Sequence, residues 1–174
     1  MKEVTVFGRG GQGAVTSAYV LAKAVFYEGK YSQAFPFFGV ERRGAPVMSF
    51  CRIDEKPIIL REQVHSPDYL LVLDKSLLNE SPTLKSGGMV IVNTHESMQI
   101  DDYATVCIDV TKTALEIIGK PFVNIPILGA FAALTGLVSL NSLFKAIDEM
   151  FAGRGKIAEL NKKATEIVFN QIKR

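Results

Sequence analysis

Three observations predict an α/β fold, a single layered domain whose mostly parallel, or mixed, central sheet is flanked by helices. A short apolar strand at the N-terminus passes through a glycine turn into an amphipathic helix. Two continuous apolar runs, at 69–73 and 89–92, are bounded by turn residues, and the C-terminal third reads as helix. Alternating strands and helices belong to layered folds with largely parallel pairing, and uninterrupted apolar strands are those covered on both faces. A chain of 174 residues suits one core.

Val4, Thr5, Val6 and Phe7 form the first strand. Val15, Ala18, Leu21, Ala22 and Val25 recur at helical spacing over 14–27, and Gly29 ends that helix. The aromatic segment 31–38 breaks at Pro36, which predicts a short strand followed by an irregular loop. Residues 47–53 give another strand, and 47–60 have the composition for an antiparallel hairpin. After the two apolar runs, 104–108 adds a third of the same kind. Short helices are predicted near 75–79 and 111–118, then longer ones at 127–135, 140–151 and 156–172. The stretch 121–144 carries no charge over 24 residues, about the length that spans a bilayer. Pro126, Gly129 and Gly136 interrupt it, and Asn124, Ser139, Asn141 and Ser142 would need partners in hydrocarbon. It therefore predicts a buried helix, a turn and the start of a second helix, with no membrane contact.

Twenty Lys and Arg against 18 Asp and Glu leave a net charge of +2. That is too small for the sustained positive field that holds a phosphodiester backbone, so nucleic acid is not predicted as a partner. Cys51 and Cys107 stand 56 residues apart without a CxxC, so this chain alone assembles neither a disulfide framework nor a zinc or iron–sulfur site. Met1, Lys2 and Glu3 lead straight into a strand with no secretory pattern, which predicts a cytoplasmic protein. His65 and His95 lack partners at ligand spacing and read as surface or capping residues, and Cys51 as a small buried hydrophobe.

Gly8-Arg9-Gly10-Gly11-Gln12-Gly13 satisfies GxGxxG between a strand and a helix, the context that gives the motif meaning. Glycines allow close approach, and the free N–H groups at a helix start carry partial positive charge, so the turn suits an anion. Arg9 adds a cation and Gln12 a neutral amide. A dinucleotide site also needs an acid about 20 residues on, at the end of the second strand. Glu28 has the count but falls at the end of the first helix, and 31–35 holds no acid. The alternative is that the glycines tighten the turn or admit another chain's backbone.

The segment 35–46 gathers aromatics, prolines, Arg42 and Arg43, and seven of the 16 aromatics fall between Phe26 and Phe50. Aromatics and Arg dominate interface energetics, so this loop reads as a partner anchor, with Arg42 and Arg43 fitted to a phosphate or carboxylate. Core packing is the alternative for each Phe, and Glu41 reads as an ion-pair partner.

The run from Phe7 to Thr16 and the run from Gln33 to Val47, in that order, resemble the gamma subunit of 2-oxoacid:ferredoxin oxidoreductases. Pro67-Asp68-Tyr69 and the block from Asn124 to Ala130 resemble it too, and the similarity covers most of the chain. The form Phe38-Gly39-Val40-Glu41-Arg42-Arg43-Gly44-Ala45-Pro46 most resembles the pyruvate branch, with the 2-oxoisovalerate enzymes close behind. The resemblance implies one gamma-type domain over 1–174, part of a complex that converts a 2-oxoacid and coenzyme A to acyl-CoA and carbon dioxide while reducing ferredoxin. It also implies alpha, beta and delta partner subunits that hold thiamine diphosphate, Mg2+ and the iron–sulfur clusters, since this chain has neither the cysteines nor a Gly-Asp-Gly segment for them. Gly8, Arg9, Gly10, Gly11, Gln12 and Gly13, with Arg42 and Arg43, are then the candidates for contact with coenzyme A. Docking of alpha and beta on the same two loops is the competing implication, and part of 121–144 is expected against partner chains. A stand-alone nucleotide-binding protein remains the alternative of a different class.

Overall fold

A computed structural model describes residues 1–37 and 44–173. In chain order these form β1 (Lys2–Arg9), α1 (Ala14–Tyr27), β2 (Tyr31–Pro36), β3 (Pro46–Asp54), β4 (Tyr69–Val72), a 3₁₀ helix (Lys75–Glu80), β5 (Met89–Asn93), β6 (Ala104–Ile108), α2 (Val110–Ile118), α3 (Ile127–Thr135), α4 (Leu140–Met150) and α5 (Gly155–Lys173).

The sheet runs β2-β3-β1-β4-β5-β6. β1, β4, β5 and β6 pair in parallel, while β3 is antiparallel to both β1 and β2, so the sheet is mixed. The antiparallel hairpin joins 31–36 to 46–54 and does not form within 47–60, as the composition there had suggested. Pro57 has no N–H to give a ladder. Residues 55–62 instead leave the sheet, and the carbonyls of Leu60 and Glu62 accept from the Arg52 guanidinium at 3.3 and 2.7 Å.

Alternate side chains build two unequal cores. Val4, Val6, Cys51, Leu71 and Ile91 face one way and meet residues of all five helices, among them Leu21, Ala114, Phe131, Ile147 and Val168. Phe7, Leu70, Val72, Val90 and Val92 face the other way, where Leu77 of the 3₁₀ helix and loop residues such as Leu84 and Met98 cover them. Both faces are covered, as the apolar runs require, but the second cover is thin.

Within the uncharged stretch, every residue from Ile127 to Ala133 is buried against this chain's own core. Gly129 makes that possible, because a Cβ there would lie 2.2 Å from the carbonyl oxygen of Thr165 on α5. Gly136 ends α3 in a left-handed conformation, and Ser139 Oγ caps α4 by accepting from Ser142 N at 3.1 Å. Phe122, just before α3, stays 51% exposed. Among the described residues no helix is long and apolar enough to cross a membrane.

Candidate functional site

The turn 8–13 lies at the carboxyl end of β1. From β1 the chain passes through α1 to β2 and β3 on one side of the sheet, whereas β4 pairs on the other side. The gap between β1 and β4 is therefore the topological switch point, where open α/β sheets take their ligands. Gly13 precedes α1 with φ 83°, and among the described residues no side chain caps the helix. The first-turn N–H groups of a helix lack intrahelical partners and carry partial positive charge, which leaves this end suited to an anion.

The turn is shaped by its own backbone. Gln12 Oε1 accepts from Arg9 N at 2.7 Å, and Gln12 N donates to Arg9 O at 2.9 Å. Gly10 N donates to Ala45 O at 2.8 Å, and Gly44 N donates to Gly10 O at 3.2 Å, which ties the turn to the chain entering β3. A Cβ on Gly13 would meet Asn124 Nδ2 at 2.6 Å. Ser17 Oγ donates to Asn124 O at 2.7 Å, so two sequence blocks more than 100 residues apart meet at the start of α1.

Arg9 is held on three sides. Its Nε donates to Asp74 Oδ2 at 3.0 Å, Nη1 to Gly44 O at 3.0 Å and Nη2 to Ser76 Oγ at 2.7 Å. Burial works to raise the Asp74 pKa, but the hydrogen bonds from Ser76 and Arg9 outweigh it and hold the carboxyl below its ordinary range. Arg42, Arg43 and Glu41 lie outside the described residues.

Beside the turn opens a cleft of about 560 Å³ along the carboxyl ends of β4, β5 and β6, with Gln12, Lys75, Asn93, Asp109 and Lys112 in its lining. Asn93 Nδ2 donates to Leu73 O at 3.0 Å and to Thr111 Oγ1 at 2.9 Å, and Asp109 caps α2 through Lys112 N at 2.9 Å. Lys75 pairs with Glu96. Asp74 and Glu116 complete a wall of mixed charge with the Gln12 and Asn93 amides between.

Other candidates disperse. Glu28 at the end of α1 accepts from Ser139 N at 2.7 Å, so its carboxylate caps α4 and is not at the end of β2 where a ribose would need it. Phe35 packs on Phe50 with ring centroids 5.2 Å apart and lies under the Arg52 guanidinium, whereas Phe37 remains 40% exposed. Cys51 is buried, which pushes its thiol up to about 12, and lies on β3; Cys107 lies on β6, with β1, β4 and β5 between them. His65 and His95 are exposed. Among the described residues no three His, Cys, Asp or Glu gather as metal ligands. Sequence reasoning missed Asp74 and Arg52. The spacing Asp74-Lys75-Ser76 before a short helix was a capping signal for the first; Arg52 had none, because its partners are set by strand register.

The sequence profile described as Pyruvate ferredoxin/flavodoxin oxidoreductase matches residues 3–171. The chain belongs to that family. The pyruvate synthase subunit PorC of Methanocaldococcus jannaschii is 52% identical over 99% of this chain and 97% of its own length. The common gamma subunit of the pyruvate/ketoisovalerate oxidoreductases of Thermococcus kodakarensis is 51% identical over 98% and 97%. The crystal structure of the pyruvate oxidoreductase subunit PORC from Thermotoga maritima superposes with a TM-score of 0.83 at 33% identity, over 97% of this chain and 95% of that one. As a gamma-type member of the pyruvate ferredoxin/flavodoxin oxidoreductase family, the chain is a subunit of an oxidoreductase complex. A stand-alone nucleotide-binding protein has no support in these relatives, nor in the position of Glu28.

Proposed function

We propose that the complex containing this chain converts pyruvate and coenzyme A to acetyl-CoA and carbon dioxide in the cytoplasm, passing two electrons to ferredoxin. In that complex the glycine turn holds an anionic portion of coenzyme A. The observation that carries the site is the uncapped start of α1 at the switch point, with Arg9 beside it and the cleft adjoining it. Helix N-termini bind phosphate through exactly these unpaired amides and their partial charge. Gly11, where a Cβ would meet nothing within 4 Å, leaves the approach open, Gly8 and Gly13 make room for Leu73 and Asn124, and Gln12 fixes the turn. Arg42 and Arg43 belong to the same site on this reading.

Thiamine diphosphate, Mg2+ and the iron–sulfur clusters belong to the alpha, beta and delta partners, and thiamine supplies the decarboxylating chemistry there. The relative from Thermococcus kodakarensis is by name common to a pyruvate and a ketoisovalerate enzyme. That supports placing the choice of 2-oxoacid on other subunits. Exposed Phe37, beside the aromatic loop, supports docking of a partner at the same end of the molecule.

In the assembled complex, Arg9→Ala raises the KM for coenzyme A and leaves that for pyruvate unchanged. An unchanged coenzyme A KM with normal assembly overturns the site.

A further inference from the structure

Asp74 stands at the carboxyl end of β4, across the switch point from the glycine turn. Its two oxygens have separate tasks. Oδ1 accepts from Ser76 N at 3.0 Å and Ser76 Oγ at 2.6 Å, closing the first turn of the 3₁₀ helix. Oδ2 accepts from Arg9 Nε at 3.0 Å. Ser76 Oγ, having donated to Asp74, accepts from Arg9 Nη2 at 2.7 Å, and Gly44 O takes Nη1. Three of the five guanidinium donors are thus fixed by groups from two other parts of the chain, and two N–H groups remain without a partner among the described residues.

A free arginine on a loop loses rotamer entropy when it closes on a ligand, and an arginine already held loses little. Capping the 3₁₀ helix needs one oxygen acceptor. The second oxygen of Asp74 and the hydroxyl of Ser76 go beyond that need, and both are spent on Arg9. We propose that Asp74 is a positioning residue for coenzyme A binding: it sets the Arg9 guanidinium at the mouth of the glycine turn, aided by Ser76, so that the remaining donors meet an anionic group of the ligand. This rests on the reading of the turn as the coenzyme A anion site.

Asp74→Ser separates the two tasks. Serine is a competent helix cap, but its hydroxyl is too short to hold Arg9 as well. In the assembled complex, Asp74→Ser raises the KM for coenzyme A about tenfold, a coupling within the range of contacting pairs, and the effect falls on KM and not on kcat or the pyruvate KM. The double variant with Arg9→Ala is no worse than Arg9→Ala alone. Asp74→Asn has one acceptor oxygen for the two tasks and recovers part of the loss only by turning it to Arg9 Nε and giving up the Ser76 N–H. Should Asp74→Ser fail to assemble, Ser76→Ala removes the Nη2 acceptor together with the hydroxyl donor to Asp74 Oδ1, leaves the Asp74–Arg9 Nε contact, and raises the same KM about threefold, again within that coupling range. A raised KM in Arg9→Ala beside an unchanged or lowered one in Asp74→Ser, or additive losses in the double variant, overturns the positioning role and leaves the coenzyme A site standing. An unchanged KM in Arg9→Ala overturns both.

Discussion

Arg52 Nε lies 3.0 Å from Glu3 Oε1 across the β1–β3 ladder, with the arginine wholly enclosed. Glu3 and Gln33 are its register partners on the strands to either side, and Gln33 Oε1 accepts from Nη1 at 3.1 Å. The same guanidinium holds the carbonyls of Leu60 and Glu62, so one side chain joins three strands to the segment crossing their face. Removing Arg52 leaves Glu3 Oε1 and three further acceptors without their donor, while Lys85 still meets Glu3 Oε2 at 2.9 Å. Arg52→Ala is expected to cost about 3–5 kcal/mol in denaturant unfolding, and a loss under about 1 kcal/mol, the size of a surface pair, would falsify this account.

The ion network around Asp68 contributes to stability at both ends of the pH range. Burial works to raise the Asp68 pKa, but Lys85, the Glu3 N–H and Lys2 outweigh it and lower it. Its contribution is complete above the unfolded carboxyl value, roughly 4, and is lost as pH falls through the depressed folded value. For Lys85 burial works downward, and Glu3 and Asp68 outweigh it and raise the pKa. That contribution is complete below the unfolded lysine value, roughly 10.4, and is lost as pH rises through the higher folded value. Urea midpoints should therefore hold level at neutral pH and fall at both ends. Asp68→Asn should make both limbs shallower, and an acid limb of undiminished slope contradicts the assignment.

Helix α3 can lie against α5 because residue 129 has no side chain. Its Cβ would sit 2.2 Å from Thr165 O and 3.1 Å from Phe169 N, both backbone atoms that cannot swing aside. Gly129→Ala should destabilise by about 1–3 kcal/mol through overpacking, despite alanine's better helix propensity. A thermal midpoint at or above that of the parent chain would show that the two helices part freely.

Thr5 Oγ1 is buried without a hydrogen-bond partner among the described residues. An unsatisfied buried hydroxyl costs about 1–3 kcal/mol, and valine has nearly the same shape. Thr5→Val is expected to raise unfolding stability by about 1 kcal/mol. Loss of stability would mean that the hydroxyl is satisfied in solution.

Local pattern carried much of this fold. The helix over 14–27 and that over 127–135 end where the periodicity and the glycines said they would, because both signals are confined to a few consecutive residues. The apolar runs that became β4 and β5 were legible for the same reason. The position of β3 between β1 and β2 was not, since register depends on residues dozens of positions away. Within the site, the glycine turn was legible as a motif, but its partner Asp74 lies 65 residues from Arg9. Phe35 looked like a surface anchor beside Pro36, yet the ladder carries it onto Phe50.

The unequal covering of the sheet makes its stability lopsided. On one side, opening the sheet means displacing five helices that pack on one another. On the other, a single 3₁₀ turn and loops must lift. Free energies of local opening scale with what must be displaced. Amides of the 3₁₀ helix and of the covering loops 81–88 and 94–103 should thus exchange with deuterium well before those of α3. The segment bearing Asp74 and Ser76 belongs to the fast-opening layer and α1, which the glycine turn enters, to the slow one, so the Arg9 contact bridges a seam between the two layers.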